Sequence, residues 1–276
     1  MKPIFFSIII PLYNKEHFIK ETINSVLQQT YQHYEIIVVD DGSTDNSLKV
    51  AKDIKDDRIS IYSKQNEGVS IARNFGAAKA KYNYLIFLDG DDVWQSGFLE
   101  NMVSLANKYP QVSLYATATK WKVGNNVTTV NYKGFKQDGI IHDYCWETFR
   151  HRKTYLCVTG AVCVTKEIFD KVGGFPPKVR KGEDIDTWLR ILCHTDMVFS
   201  NDAYFTYNVE SENNANIKSA SMEGQFPYWK WYSYKYHNKI SLYLMTDLKI
   251  LFFVKEMIKC KNIREGIKLL SKIKFF

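Results

Sequence analysis

The sequence predicts an α/β fold: a mostly parallel central sheet flanked by helices, followed by a helical, basic C-terminal extension. Three observations predict it. Strand and helix patterns alternate through the first half of the chain; the strand runs are almost continuously apolar, as strands covered on both faces must be; and each run stops at a polar loop. In such sheets the loops at the carboxyl ends of the strands converge on one crevice, where ligands gather.

In chain order, strands are expected at Phe5–Ile10, Glu35–Asp40, Ile59–Ser63 and Tyr84–Leu88, separated by helices at Glu16–Gln29, Asn46–Ile54, Val69–Ala80 and Ser96–Lys108. The first helix carries Phe18, Ile19, Ile23, Val26 and Leu27 at helical spacing. The opening segment reads as a first strand and not as a leader, because Pro11 and Asn14 interrupt its apolar run. After Pro110 the pattern changes. A strand at Val112–Thr119, a hairpin around Gly124-Asn125-Asn126 and a strand at Thr128–Lys133 suggest mixed pairing, followed by a helix near His142–Arg152. Ala161–Thr165 reads as a short strand, Lys166–Val172 as a helix stopped by Gly173-Gly174, and Asp184–Cys193 as another helix.

The 276 residues are hydrophobic at 45% and aromatic at 15%, which excludes a disordered chain and allows one full core. The division expected is one α/β domain over 1–224, with halves at 1–110 and 111–224, and an appended extension over 225–276. The net charge of +7 resides in that extension: eleven Lys or Arg there stand against Asp247, Glu256 and Glu265. Its apolar residues, Ile250, Leu251, Val254, Met257 and Ile258, then Ile263, Ile267, Leu270 and Ile273, recur at helical spacing beside lysines. That pattern suits either an interfacial helix pair on an anionic membrane or packing on the domain with a solvated basic face. Nucleic-acid binding is not expected, since the tail aromatics lie at helical spacing and not on a strand platform. Five scattered Cys without a Cys-x-x-Cys pair suggest a reducing, cytoplasmic setting, and no segment reaches the roughly 18 apolar residues of a membrane span.

Four segments carry chemistry. Asp89-Gly90-Asp91-Asp92 closes the run Tyr84–Leu88, placing carboxylates where a buried strand meets solvent; they suit a hard cation such as Mg²⁺ or Mn²⁺, or equally an acidic turn. Asp40-Asp41-Gly42-Ser43-Thr44-Asp45 either grips a nucleotide through one carboxylate or caps the helix that follows. Arg73, early in the Val69–Ala80 helix, can clamp a diphosphate or sit on the surface. Glu183 and Asp184 stand at a helix N-terminus, where the macrodipole alone favours them, and Asp184 can also act as a general base. No Ser-His-Asp, Walker A or Gly-x-Gly-x-x-Gly pattern is present.

Taken in order, these segments resemble the family 2 glycosyltransferases, inverting enzymes of GT-A fold with a Rossmann-like nucleotide-binding half, from Phe6 to about Leu192. The resemblance rests on Ser7-Ile8-Ile9-Ile10-Pro11-Leu12-Tyr13-Asn14, Val39 to Asp45, Asn66 to Asn74, Leu88 to Asp92, and Gly182-Glu183-Asp184 with Trp188-Leu189-Arg190. It implies a bacterial surface-polysaccharide type of enzyme that moves one sugar from a nucleoside diphosphate sugar, a UDP-sugar first, to a glycan or lipid-linked acceptor. Pro11 and Tyr13 would lie against the base, Asp41 would read it, and Arg73 would touch the diphosphate. Asp89 and Gly90 would belong to the donor site. Asp91, with Asp89, would hold Mn²⁺ or Mg²⁺, and Asp184 would be the base. Glu183, Trp188 and Gly160 would fall on the acceptor side. The Gln-x-x-Arg-Trp motif and transmembrane helices of processive members are absent, which points to single-sugar transfer, and Tyr207-Asn208-Val209-Glu210-Ser211 lacks the Arg or His that many relatives place there. The competing classes are a nucleotidyltransferase, whose Gly-rich basic N-terminal loop is missing, and a non-catalytic nucleotide-sugar or carbohydrate-binding protein of the same fold.

Overall fold

The computed structural model describes residues 3–132, 138–150, 156–179 and 181–209, with single positions between 242 and 272. The first half is built as the pattern predicts: β1 (Phe6–Leu12), α1 (Ile19–Leu27), β2 (Tyr34–Asp40), α2 (Ser47–Asp53), β3 (Ile59–Ser63), α3 (Val69–Lys79) and β4 (Tyr84–Phe87). These four strands are mutually parallel in the order β3-β2-β1-β4. The order reverses direction at β1 and β4, and the crevice opens at such a switch point.

Every residue of β1 and β2 is buried because each face is covered. Ile8, Ile10, Ile36 and Val38 join a core with Ile19 and Ile23 of α1, whereas Ile9 and Phe87 face a second core. Alternation along each strand thus feeds two cores, one per face. α3 lies close over β1 because Gly76 has no side chain: a Cβ there would stand 2.4 Å from a methyl carbon of Ile9.

The second half continues the same sheet: β5 (Val93–Trp94), α4 (Phe98–Lys108), β6 (Leu114–Val123), β7 (Asn126–Thr129), β8 (Gly139–Ile141), α5 (Tyr144–Arg150), β9 (Val162–Thr165), α6 (Lys166–Lys171), α7 (Glu183–Leu192) and β10 (Met197–Asn208). The full order is β3-β2-β1-β4-β9-β6-β10-β5, with β7 on β6 and β8 on β10. Parallel pairing is confined to the first four strands and to β6 with β10; β9, β5, β7 and β8 all pair antiparallel, so the sheet is mixed. These four strands are short, and the β6–β7 pair turns back through Gly124-Asn125, where Gly124 supplies a φ of 56°.

β10, β8 and β5 carry no clear sequence signal. β10 is interrupted at Asn201-Asp202, where its register against β6 shifts, and β5 is two residues long. The predicted halves, 1–110 and 111–224, therefore share one sheet. No helix among the described residues is long and apolar enough to cross a membrane. The expected tail helices fall largely outside the described residues.

Candidate functional site

In-register pairing sets Leu12 beside Asp40 and Asp40 beside Ser63, so the ends of β1, β2 and β3 form one edge, which Phe87 of β4 extends. Above this edge lies a cleft of about 400 Å³. Pro11, Tyr13, Asp41, Arg73, Asp89, Gly90, Asp91, Glu183 and Asp184 all line it. Segments 170 residues apart thereby meet.

Of the acidic run after β2, two carboxylates serve the backbone and one faces the cleft. Asp40 accepts from the amide of Ser43 at 3.1 Å and from the hydroxyl of Ser63 at 2.8 Å. Asp45, one residue before the N-cap of α2, accepts from the amide of Ser47 at 2.9 Å. Asp41 accepts from Lys64 Nζ at 2.6 Å and from the amides of Glu67 at 3.1 Å and Gly68 at 2.8 Å. A carboxylate offers about four acceptor positions, so one is left for a ligand. Tyr13, at 41% exposure, presents its ring at the mouth.

Arg73 is buried between two carboxylates. Its Nη2 donates to Asp89 Oδ1 at 2.7 Å and its Nη1 to Glu183 Oε1 at 3.0 Å, while the guanidinium lies 5.0 Å from the centre of the Phe175 ring. Burial works against its charge, yet the carboxylates of Asp89 and Glu183 outweigh burial and hold the cation firmly protonated. The contact that the resemblance assigned to it is with a diphosphate; here both Nη groups are committed to carboxylates. Arg73 thus joins the end of β4 to the start of α7. Asn74 reinforces this joint by exchanging two 2.8 Å hydrogen bonds with the backbone of Phe175.

Asp184 sits in the first turn of α7, after Gly182, whose φ of 85° lets the chain turn into the helix. Its Oδ1 accepts from the amide of Ile185 at 2.7 Å, and its Oδ2 lies 3.4 Å from the Thr159 hydroxyl. Burial and the neighbouring Glu183 raise its pKa from 3.8 to about 7, against the opposing pull of Arg73. A carboxylate with that affinity can take a proton near neutrality.

Asp91 Oδ2 lies 2.7 Å from Lys15 Nζ. Each of Asp89 and Asp91 is thus paired with a protein cation, with which a bound metal would have to share its carboxylate. Two carboxylates fit Mg²⁺ or Mn²⁺, ions that commonly take one or two protein carboxylates and complete their shell with substrate phosphate and water. Among the described residues no cluster of three or more His, Cys, Asp or Glu side chains is arranged to hold a metal by itself.

Two expected acceptor-side residues are corrected. Trp188 is 1% exposed and packs against Phe87 and Phe175 in the core, because it lies on the inward face of the amphipathic α7. Gly160 is a packing glycine at φ 96°, where a Cβ would come within 2.3 Å of the Phe205 ring; its carbonyl accepts from Trp94 Nε1 at 2.7 Å. Glu183 does line the cleft, but it bonds Arg73.

The motif reading missed Lys15, Thr159 and Lys181, took Asp92 only as part of the acidic run, and named Tyr207 only within a segment without Arg or His. Lys15 was findable as a cation two residues past Tyr13. Asp92 is buried, accepts from the Asn208 amide at 2.9 Å, and is pushed well above the usual carboxylate range by burial and by Asp91 and Asp89. Asp92 thereby ties the acidic loop to β10. Thr159, Lys181 and Tyr207 line the cleft without a local signal.

A family model described as Glycosyl transferase family 2 matches residues 7–170. An uncharacterized glycosyltransferase of Rickettsia bellii (strain RML369-C) is 31% identical over 190 residues, covering 67% of this chain and 26% of that protein, so the chain spans about a quarter of that relative. TuaG of Bacillus subtilis (strain 168), whose name places it as a glycosyltransferase in teichuronic acid biosynthesis, is 30% identical over 197 residues, covering 67% of this chain and 71% of that protein. Among solved structures, S. aureus TarS 1–349 in complex with UDP-GlcNAc superposes with a TM-score of 0.68 at 19% identity, covering 90% of this chain and 67% of that one. The shared architecture is the GT-A fold.

Proposed function

The chain belongs to glycosyl transferase family 2, and from that premise we propose that it transfers a single hexosyl unit, with inversion, from a nucleoside diphosphate sugar to a hydroxyl of a glycan or lipid-linked glycan. The observation that carries this reading is one cleft holding Asp184, with its raised proton affinity, together with Asp89 and Asp91 at the carboxyl ends of the parallel strands. A UDP-sugar is the favoured donor, since TarS of the same fold binds UDP-GlcNAc. The name of TuaG supports a role in surface-polysaccharide synthesis.

In this mechanism Asp184 removes the acceptor hydroxyl proton as that oxygen bonds to the anomeric carbon. The bond from the anomeric carbon to the phosphate oxygen breaks on the opposite face, and the nucleoside diphosphate leaves with its electron pair. Thr159 orients the Asp184 carboxylate, Arg73 holds Asp89 and Glu183 in register, and Asp41 and Tyr13 receive the base. Asp89 and Asp91 would hold Mg²⁺ or Mn²⁺, which when bound would neutralise charge on the departing diphosphate. The basic tail would lie on an anionic membrane, a reading supported by its sequence pattern and tested by sedimentation with anionic vesicles at low and high salt. Incubation with a panel of nucleoside diphosphate sugars and mixed glycan acceptors, following diphosphate release with and without EDTA, tests the reading. Metal-dependent release from at least one donor is expected; no release from any overturns it.

A further inference from the structure

The outer ends of β6 and β10 carry an apolar strip that leads out of the cleft. Tyr207 lines the cleft, and the register pairs it with Trp121 on β6. Partners in register share a sheet face at a strand spacing of about 5 Å, so the two rings stand side by side. Val123 continues the same face two residues on, and across the hairpin Thr128 pairs with Trp121 and Asn126 with Val123. Trp121 is 52% exposed and Val123 45%. Among the described residues of these strands, this face bears no charge. The lysines of the hairpin, Lys120 and Lys122, lie on the opposite face with Val127.

We infer that the strip Tyr207–Trp121–Val123 is the acceptor platform and that it receives a neutral pyranose ring of the acceptor glycan. The inference rests on the glycosyl-transfer reading and adds to it where the acceptor lies. An aromatic face carries partial negative charge and attracts the slightly positive C–H face of a sugar ring. Thr128 and Asn126 at the rim can exchange hydrogen bonds with the ring's hydroxyls. An anionic partner would be better served by the opposite face. Continuity with Tyr207 leads a glycan lying on Trp121 into the cleft that holds Asp184.

The test uses the full chain and saturation-transfer NMR with cellotetraose, chitotetraose and maltotetraose, beside calorimetry with UDP. At least one tetrasaccharide should bind wild type, and Trp121→Ala should raise its Kd about five- to tenfold. Trp121→Phe should recover part of that loss, and Val127→Ala, equally exposed on the other face, should leave Kd unchanged. Binding of none of the three glycans, an unchanged Kd in Trp121→Ala, or an equal loss in Val127→Ala overturns the inference. UDP calorimetry keeps the two levels apart. A wild type that fails to bind UDP counts against the glycosyl-transfer reading, whereas UDP binding combined with any of those three outcomes removes only the platform.

Discussion

The two walls of the cleft reach it by different routes. The wall from β1 to β4 takes its groups from loops that directly follow parallel strands: Tyr13 and Lys15 after β1, Asp41 after β2, Asp89 and Asp91 after β4. The other wall is assembled from Thr159 before β9, Asp184 at the start of α7 and Tyr207 near the end of β10, elements that pair by mixed rules across the sheet. On the first wall a residue's place follows from the strand it ends. On the second it follows from what the strand packs against, and there the sequence reading failed for Trp188 and Gly160.

The sharpest way to break this comparison is to remove the proposed base on the second wall. Asp184→Asn should keep UDP affinity, measured by calorimetry, and lose transfer by about 10² to 10⁴-fold; normal turnover would take Asp184 out of the mechanism. In wild type, kcat/KM should fall tenfold per pH unit below about 7 and level off above it, because the base must be ionised. Glu183→Gln removes a neighbouring negative charge and should move that midpoint to lower pH. Stability runs the other way. Between pH 3.8 and about 7 the folded protein keeps a proton that the unfolded chain has released, so stability falls as pH rises through that window. Asp184→Asn should therefore melt higher than wild type at pH 8, which thermal denaturation would show.

On the first wall, Asp91→Ala should reduce turnover by at least about 10²-fold and abolish the response to added Mn²⁺, since a metal-type contribution amounts to several kcal/mol. Urea denaturation should show some loss of stability as well, because the Asp91 side chain is only 13% exposed and its removal takes a 2.7 Å partner from Lys15, while the donor cleft stays folded. Activity that survives both Asp91→Ala and EDTA would separate this wall from metal chemistry.

The smallest effects on chemistry, and the clearest on folding, belong to the corrected residues. Gly160→Ala should destabilise by about 1 to 3 kcal/mol, from the strained φ and the Phe205 ring it would press on. Trp188→Ala should cost about 3 to 5 kcal/mol. Trp188→Phe should cost much less than Trp188→Ala, because Nε1 of Trp188 has no hydrogen-bond partner among the described residues. A Trp188→Phe variant of normal stability with a raised acceptor KM would return Trp188 to the cleft.

The parallel half was legible because its signals are local. A run such as Ile36-Ile37-Val38-Val39 is apolar on both faces, so it must be covered on both, and the polar residues beyond it must lie at the edge. Order along the chain then translates directly into position on that edge, and Asp41, Asp89 and Asp91 could be placed with no knowledge of their neighbours. Asp184 was legible for a similar reason, as a carboxylate at a helix start after a glycine.

Partnership was not legible. Nothing near Arg73 in the chain says that its guanidinium will lie between Asp89 and Glu183, the latter 110 residues away, nor that Asp92 will be buried against the amide of Asn208 with its proton affinity raised. Nor does a tryptophan's type say whether it packs under a helix, as Trp188 does, or stands out on a hairpin, as Trp121 does. Hydrophobic period and turn chemistry act over a few residues and are written in the order of the amino acids. Burial, ion pairing and proton affinity depend on which distant groups share the same few ångströms, and only the assembled sheet brings those groups together.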